Sequence, residues 1–486
     1  MILDPHVFQN DDTALVWNDG SMCYRDLVAK VALVSEWLLQ QPETQVALIA
    51  ENSAEWVVCD LAAQEANKVL IPVPVYFSKQ QRKHLLNEAG IELLIADSGN
   101  ASEYAERDGV SRIECPFDTL QAYKVKPNGH PCIPQGTGKI TFTSGSTGQP
   151  KGVCLSNSSQ FNVAKSLSNA VALHRVKHLC LLPLPTLLEN IAGVYAPLLV
   201  GGCVVLPSST ELGFSGAALT NPNAMLSQIN EHRPETLILV PELLLLLVSA
   251  CKKGWVPPTS LTFIAVGGAH VAPSLLESAR ALGLPVFEGY GLSEGVSVNT
   301  LNLPGKHCDG SVGESLGHNT LSIENNELIV KGNIFLGYLN QPDSFYPSEV
   351  KTGDLVSEEG GYFHIQGRKK NLIITSLGRN ISPEWIESAL TSTGYFQYAL
   401  IVGEGEKACS AILVKRDRTL TEQQIAQVIA SVNHSLPEYA RIAKWHTLDT
   451  LPENTQLLTA NGKLRREQAL KHFHSIISQL NSQQVA

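Results

Sequence analysis

The first hundred residues alternate between two hydrophobic rhythms. VALIA (46–50) is a continuous apolar run of strand length, and SAEWVVCDLAAQEAN (53–67) follows with apolar positions at helical spacing, Ser53 standing where an N-cap belongs. VLIPVPV (69–75) predicts a second strand, SKQQRKHLLNEAG (78–90) a helix closed by Gly90, and IELLIA (91–96) a third strand. Unbroken apolar strands separated by helices are the pattern of a parallel sheet covered on both faces, so the fold class is α/β with doubly wound sheets. The rhythm returns at strands 237–240, 261–266 and 285–288, with a helix at 274–282. LILVPELLLLLVSA is interrupted by Pro241 and Glu242, and predicts a strand, a turn and a buried helix rather than a bilayer span.

From about Gly310 the pattern changes to short alternating runs broken by turn residues, as in SLSIENNELIVKG, which predicts a small antiparallel β region. After Lys370 it changes again. A helix is expected at 383–390, strands at 399–402 and 410–414, and a helix at 421–435; the tail SQLNSQQVA is expected to fray. The division is therefore a large domain over 1–369 and a smaller α+β domain over 370–486. At 486 residues the chain is too long for one ordinary core.

Composition narrows the function. Apolar residues make up 44% and charged residues 17%, a globular and not a disordered balance. A formal charge of -10 argues against a nucleic-acid partner, which needs a basic surface, yet leaves room for a local phosphate site. The ten cysteines form no C-x-x-C pair and no zinc spacing with histidine, so they are expected to be buried small hydrophobes in a reducing, cytoplasmic setting. The start MILDPHVFQNDD has no basic segment followed by an apolar run, so no signal peptide is expected. Peripheral membrane contact stays open.

ITFTSGSTGQPKGV (140–153) carries the most chemistry. Thr143, Ser144, Gly145, Ser146, Thr147 and Gly148 follow one another without a large side chain, and Lys151 and Gly152 close the run. Glycines let the backbone approach an anion, four hydroxyls and the exposed N–H groups can donate to phosphate oxygens, and Lys151 adds a compact positive charge. No G-K-[ST] follows at the Walker spacing.

At TSGSTGQPKG the chain resembles the AMP-forming acyl-adenylate superfamily, which includes acyl-CoA synthetases, non-ribosomal peptide adenylation domains and firefly luciferase. Further motifs stand in the superfamily's order. EGYGLSEG (288–295) is similar to its Y-G-x-T-E motif, with Ser293 keeping the usual hydroxyl. The resemblance implies that Tyr290 and Gly291 border the adenine, that Ser293 contacts the α-phosphate, and that Glu294 holds Mg²⁺, a hard cation suited to carboxylate oxygen. TGDL (352–355) implies Asp354 on the ribose hydroxyls. GRKKNLIITSLGRNISPEWIE (367–387) implies Arg368 near ribose or phosphate, Lys370 at a hinge, and Gly378 on a loop presented during a thioester step. Asn371 departs from the acidic residue usual after the hinge. TANGKLRR (459–466) implies that Lys463 reaches the reacting carboxylate and α-phosphate; Arg465 and Arg466 serve either CoA phosphates or the surface. VGGAHV (266–271) implies Gly267, Gly268 and Ala269 beside adenine and acyl groups, although such small residues also suit tight packing.

The implied activity is ATP-dependent conversion of a carboxylic acid to acyl-AMP with release of pyrophosphate, followed by transfer to CoA as the C-terminal domain turns. ATP, Mg²⁺ and CoA are the expected cofactors and substrates. GRKKN with TSLGRNISPEWIE, and Glu189 after LPLPTLL, are similar to long-chain acyl-CoA synthetases, so a medium or long fatty acid is the expected substrate. The alternatives are a carrier-protein thiol as acceptor, an aryl acid as substrate, and a non-catalytic adenylate-binding protein.

Overall fold

The computed structural model describes residues 2–3, 8, 10–105, 109–127, 129–143, 150–172, 174–216, 218–376, 378–452, 456–459 and 462–482. Two large sheets build the first part of the chain, one of eight strands and one of nine. In the eight-stranded sheet Gln45–Ile49 lies between Val69–Pro72 and Leu93–Asp97, and Lys139–Thr143 flanks Val69–Pro72, all parallel. In the nine-stranded sheet Lys177–Leu179, Thr236–Leu239, Phe263–Val266 and Val286–Leu292 also run parallel. The parallel expectation holds for these centres but not for the edges. There the chain returns by short connections, as from Val286–Leu292 to Ser297–Leu301 and from Lys139–Thr143 to Lys151–Leu155, and a short connection permits only antiparallel pairing.

The helix Ala54–Glu65 shows how sequence sets packing. Ser53 caps it by accepting from Trp56 N at 3.2 Å. Every residue from Ala54 to Ala63 except Glu55 is buried. A helix apolar on nearly all sides has no solvent face, and this one packs into a core shared with strands of both sheets. Each large apolar side chain buried there contributes about 1.5–3 kcal/mol.

The small β region is a four-stranded antiparallel sheet of Asn319–Glu324, Glu327–Gly332, Glu349–Glu359 and Tyr362–Arg368. Beyond it, Phe396–Val402, Cys409–Lys415 and Ile442–Leu448 form a separate sheet, packed by the helices Pro383–Thr391 and Glu422–Ser435 around their own apolar cluster. The strand Ile442–Leu448 and the helix Arg466–His472 have mixed polar patterns and are not foreseen by periodicity. The expected fraying from Ser478 is corrected as far as Ser482: a helix runs over His474–Ser482 and buries Leu480 to 4% exposure, while 483–486 lie outside the described residues. The cysteines are also less uniform than expected. All ten are free, but only Cys59, Cys154, Cys180 and Cys409 are buried, and Cys132 is exposed. Among the described residues no helix is long and apolar enough to cross a membrane.

Candidate active site

The predicted site residues gather where parallel strands of the nine-stranded sheet end, the edge at which open α/β sheets bind ligands. Phe263–Val266 runs into Gly267, Gly268 and Ala269, and its neighbour Val286–Leu292 carries Tyr290 and Gly291 and leads into Ser293 and Glu294. The glycines here have distinct causes. A Cβ on Gly291 would stand 1.7 Å from the Ser297 carbonyl oxygen, and one on Gly267 2.8 Å from that of Gly289, so both permit close backbone approach. Gly268 has φ +77°, which L side chains avoid.

Three groups of side chains meet around this edge. In the first, Asp354 is 3% exposed and bridges two partners. Its Oδ2 accepts from the Tyr290 hydroxyl at 2.7 Å, and its Oδ1 pairs with Arg368 Nε at 2.8 Å. The register explains the pairing, because Asp354 and Arg368 stand opposite each other on antiparallel strands. Burial, then the Asp354 charge, pushes the Tyr290 phenol well above its ordinary pKa, so it acts as a donor.

In the second group, Glu294 Oε1 accepts from the Tyr338 hydroxyl at 2.7 Å, and Lys151 Nζ lies 5.5 Å from the centre of the Tyr338 ring. Thr143 faces Lys151 across the strand pair, which frames the hydroxyl loop between them. Ser144, Gly145, Ser146, Thr147 and Gly148 themselves lie outside the described residues. Tyr338 belongs to no motif, and nothing in FLGYLN marks it; its place follows from the pairing of Gly337–Tyr338 with Lys151–Leu155.

The third group crosses from the C-terminal region. Lys463 Nζ donates to the Gly268 carbonyl at 2.5 Å. Lys463 is exposed as a residue, but its ammonium is hemmed in by protein. Desolvation lowers its pKa; Glu242 opposes the shift and Arg368 adds to it. The interaction with Arg368 ties this group to the first. Ser388 Oγ meets His270 Nδ1 at 2.9 Å, a second contact between the same two regions.

Other predicted residues stand apart from Lys463. Gly378 is exposed, with φ +72° and open space around its Cα, on the connection between the paired strands Ile373–Ile374 and Asn380–Ile381. Lys370 is exposed just after the last strand of the four-stranded sheet. Arg466 does not face solvent as a phosphate ligand would. It pairs with Glu387 Oε1 at 2.6 Å and donates to the Ile401 carbonyl at 2.6 Å. Lys369, 65% exposed, pairs with Glu327 at 3.2 Å on the surface.

A buried cluster near Glu189 has no counterpart in the sequence reading. His178, Cys180 and Glu189 bring donor atoms within 4.8 Å of one another, so a cysteine does meet a histidine despite the lack of zinc spacing along the chain. His178 Nε2 lies 3.0 Å from Glu189 Oε1 and its Nδ1 2.9 Å from Thr236 Oγ1. Burial, then Glu189, pushes the Cys180 thiol well above its usual pKa.

Comparison with known proteins places these groups in context. Residues 6–338 match the family profile described as AMP-binding enzyme, and residues 370–485 match the AMP-binding enzyme C-terminal domain. The chain is 26% identical over 493 residues to 2-succinylbenzoate–CoA ligase of Bacillus pumilus (strain SAFR-032), covering 93% of each chain. It is 26% identical over 496 residues to oxalate–CoA ligase of Arabidopsis thaliana, covering 92% of each. In fold it is similar to o-succinylbenzoate CoA synthetase of Bacillus subtilis solved with ATP and magnesium, with a TM-score of 0.75, 24% identity, and 96% of this chain and 98% of that one covered.

Proposed function

The chain belongs to the AMP-binding enzyme family, and from that premise we propose that it joins a carboxylic acid to CoA through an acyl-adenylate. A carboxylate cannot expel oxide. Attack of its oxygen on the α-phosphorus of ATP forms the acyl–phosphate bond and breaks the bond to pyrophosphate. The CoA thiol then gives its proton to solvent, its sulfur attacks the acyl carbon, and AMP leaves as the bond from that carbon to the phosphate oxygen breaks. The first step needs two anions held together and charge stabilised at the phosphorus, and the second needs charge stabilised on the acyl oxygen, which calls for preorganised cations and N–H or O–H donors.

The observation that carries this reading is the reach of Lys463 from the C-terminal region to the Gly268 carbonyl. An ammonium there offsets repulsion between the acid and the α-phosphate. Asp354 suits the ribose: a carboxylate has about four acceptor positions, and Tyr290 and Arg368 engage it at one position on each oxygen. Lys151 and the hydroxyl loop serve the distal phosphates. Glu294, held at one oxygen by Tyr338, offers the hard oxygen that Mg²⁺ takes. A Mg²⁺ held there would neutralise phosphate charge. Gly378, with no side chain and open space around it, suits the loop that faces CoA once Lys463 has withdrawn.

The expected fatty acid gives way to an aryl acid. Likeness across nearly the whole chain to 2-succinylbenzoate–CoA ligase supports an aromatic substrate, and CoA instead of a carrier thiol as acceptor. Acid-dependent ATP–pyrophosphate exchange across benzoates, cinnamates, short dicarboxylates and fatty acids tests the acid and the adenylation step. An aryl acid should give the highest rate, with AMP and pyrophosphate as products. A rate climbing with fatty chain length overturns the aryl assignment; ADP and free phosphate as primary products overturn adenylation.

A further inference from the structure

The C-terminal region touches the segment 266–271 through His270 as well as through Gly268, and the first contact has a defined polarity. The Ser388 hydroxyl lies 2.9 Å from the Trp385 carbonyl, an acceptor one turn earlier in the helix Pro383–Thr391. A serine hydroxyl has one proton. If the helix carbonyl takes it, Ser388 Oγ must accept from His270 Nδ1–H, 2.9 Å away. That places a proton on His270 Nδ1. Burial, which lowers the His270 pKa against the opposing Glu384, favours the neutral ring that keeps this proton.

The helix that carries Ser388 is also braced to the segment that carries Lys463. The next residue back, Glu387, binds Arg466 Nη1 at 2.6 Å and accepts from Ile401 N at 2.9 Å. Arg466 opens a helix only three residues beyond Lys463. Where the helix Pro383–Thr391 sits therefore constrains where Lys463 can reach. One end of this brace rests on His270 and the other delivers an ammonium to Gly268, two residues away.

We propose that the His270–Ser388 hydrogen bond is a latch that holds the C-terminal region in the pose that places Lys463 in the site, making both residues positioning residues for adenylation. The proposal rests on the adenylation role given to Lys463. Breaking the latch lowers the share of molecules with Lys463 in place and leaves the later thioester step untouched, since that step needs Lys463 withdrawn. A neutral hydrogen bond of ordinary strength shifts such a balance about two- to tenfold.

The test measures the half-reactions separately on the full chain: acid-dependent pyrophosphate release, and conversion of supplied acyl-AMP with CoA. His270→Ala and Ser388→Ala should each lower the ratio of first to second about two- to tenfold, and the double variant should be no worse than either. Ser388→Thr keeps the hydroxyl and should restore the ratio. Thermal melting confirms that each variant is folded. An unchanged ratio, equal loss in both half-reactions, additive effects, or failure of the threonine to rescue overturns the latch. Lys463→Ala serves as control. If it spares adenylation, the adenylation role of Lys463 fails; if it abolishes adenylation while the latch variants keep the wild-type ratio, the latch alone fails.

Discussion

Two lysines show how one side chain can serve opposite ends. Lys139 is 1% exposed; its ammonium donates to Asn190 Oδ1 at 2.6 Å and the Tyr195 hydroxyl at 2.7 Å and is ion-paired with Asp60 Oδ1 at 2.7 Å. Asp60 is tied in turn, accepting at Oδ2 from Tyr195 at 2.5 Å and from Asn190 at 2.9 Å. Among the described residues Lys463 Nζ reaches a single backbone carbonyl, from an exposed segment. Desolvation lowers the pKa of both, opposed at Lys139 by the adjoining Asp60 and at Lys463 by Glu242. A fully engaged lysine is held as structure. A lightly held one keeps donors for a substrate and can leave.

The comparison breaks most visibly at Lys139. Lys139→Met strands Asp60 in the core without its cation, and removing one partner of a buried pair costs about 3–5 kcal/mol. Chemical denaturation should show that loss, with the half-reaction ratio of the remaining folded enzyme unchanged. Lys463→Ala should do the reverse: melting stays near wild type while acyl-AMP formation falls about a hundred- to a thousandfold, or about 3–4 kcal/mol in barrier. Supplied acyl-AMP should still reach thioester. Equal slowing of both half-reactions would end the view of Lys463 as a residue that comes and goes.

Asp354→Asn tests a site built within the chain rather than borrowed across regions. It loses a charge-assisted bond, worth about 1.5–3 kcal/mol. The KM for ATP should rise roughly ten- to a hundredfold with smaller change in KM for the acid. The pH dependence sharpens the contrast. Because its pKa is lowered, Lys463 loses its proton at a lower pH than an ordinary lysine. Adenylation should therefore decline on the alkaline side before any loss in the thioester half-reaction, and coincident alkaline limbs would point to another group. The smallest effect belongs to Lys369. Its surface pair with Glu327 is worth about 0–1 kcal/mol, so Lys369→Ala should leave stability and rate within a factor of a few.

Motif and periodicity reached different depths. Strands with continuous apolar runs, such as Gln45–Ile49 and Thr236–Leu239, are legible because burial on both faces demands them. The helix Ala54–Glu65 is legible down to its Ser53 cap. Less patterned elements such as Ile442–Leu448 are not, because that strand is half solvated and borrows its register from Cys409–Lys415.

By itself the sequence determined the local chemistry: a glycine and hydroxyl loop closed by Lys151, a carboxylate in TGDL, and a lysine in NGK near the C-terminal end. These are legible because each needs particular residue types within a few positions along the chain. Only the tertiary structure decided which of them meet. Tyr338 reaches Glu294 across 44 residues, Tyr290 reaches Asp354 across 64, Ser388 reaches His270 across 118, and Lys463 reaches Gly268 across 195. Hydrogen bonds act over about 3 Å, so no local pattern encodes such a meeting. It is the packing of whole sheets and helices, driven by apolar area with no regard for polar pairing, that brings those groups within reach.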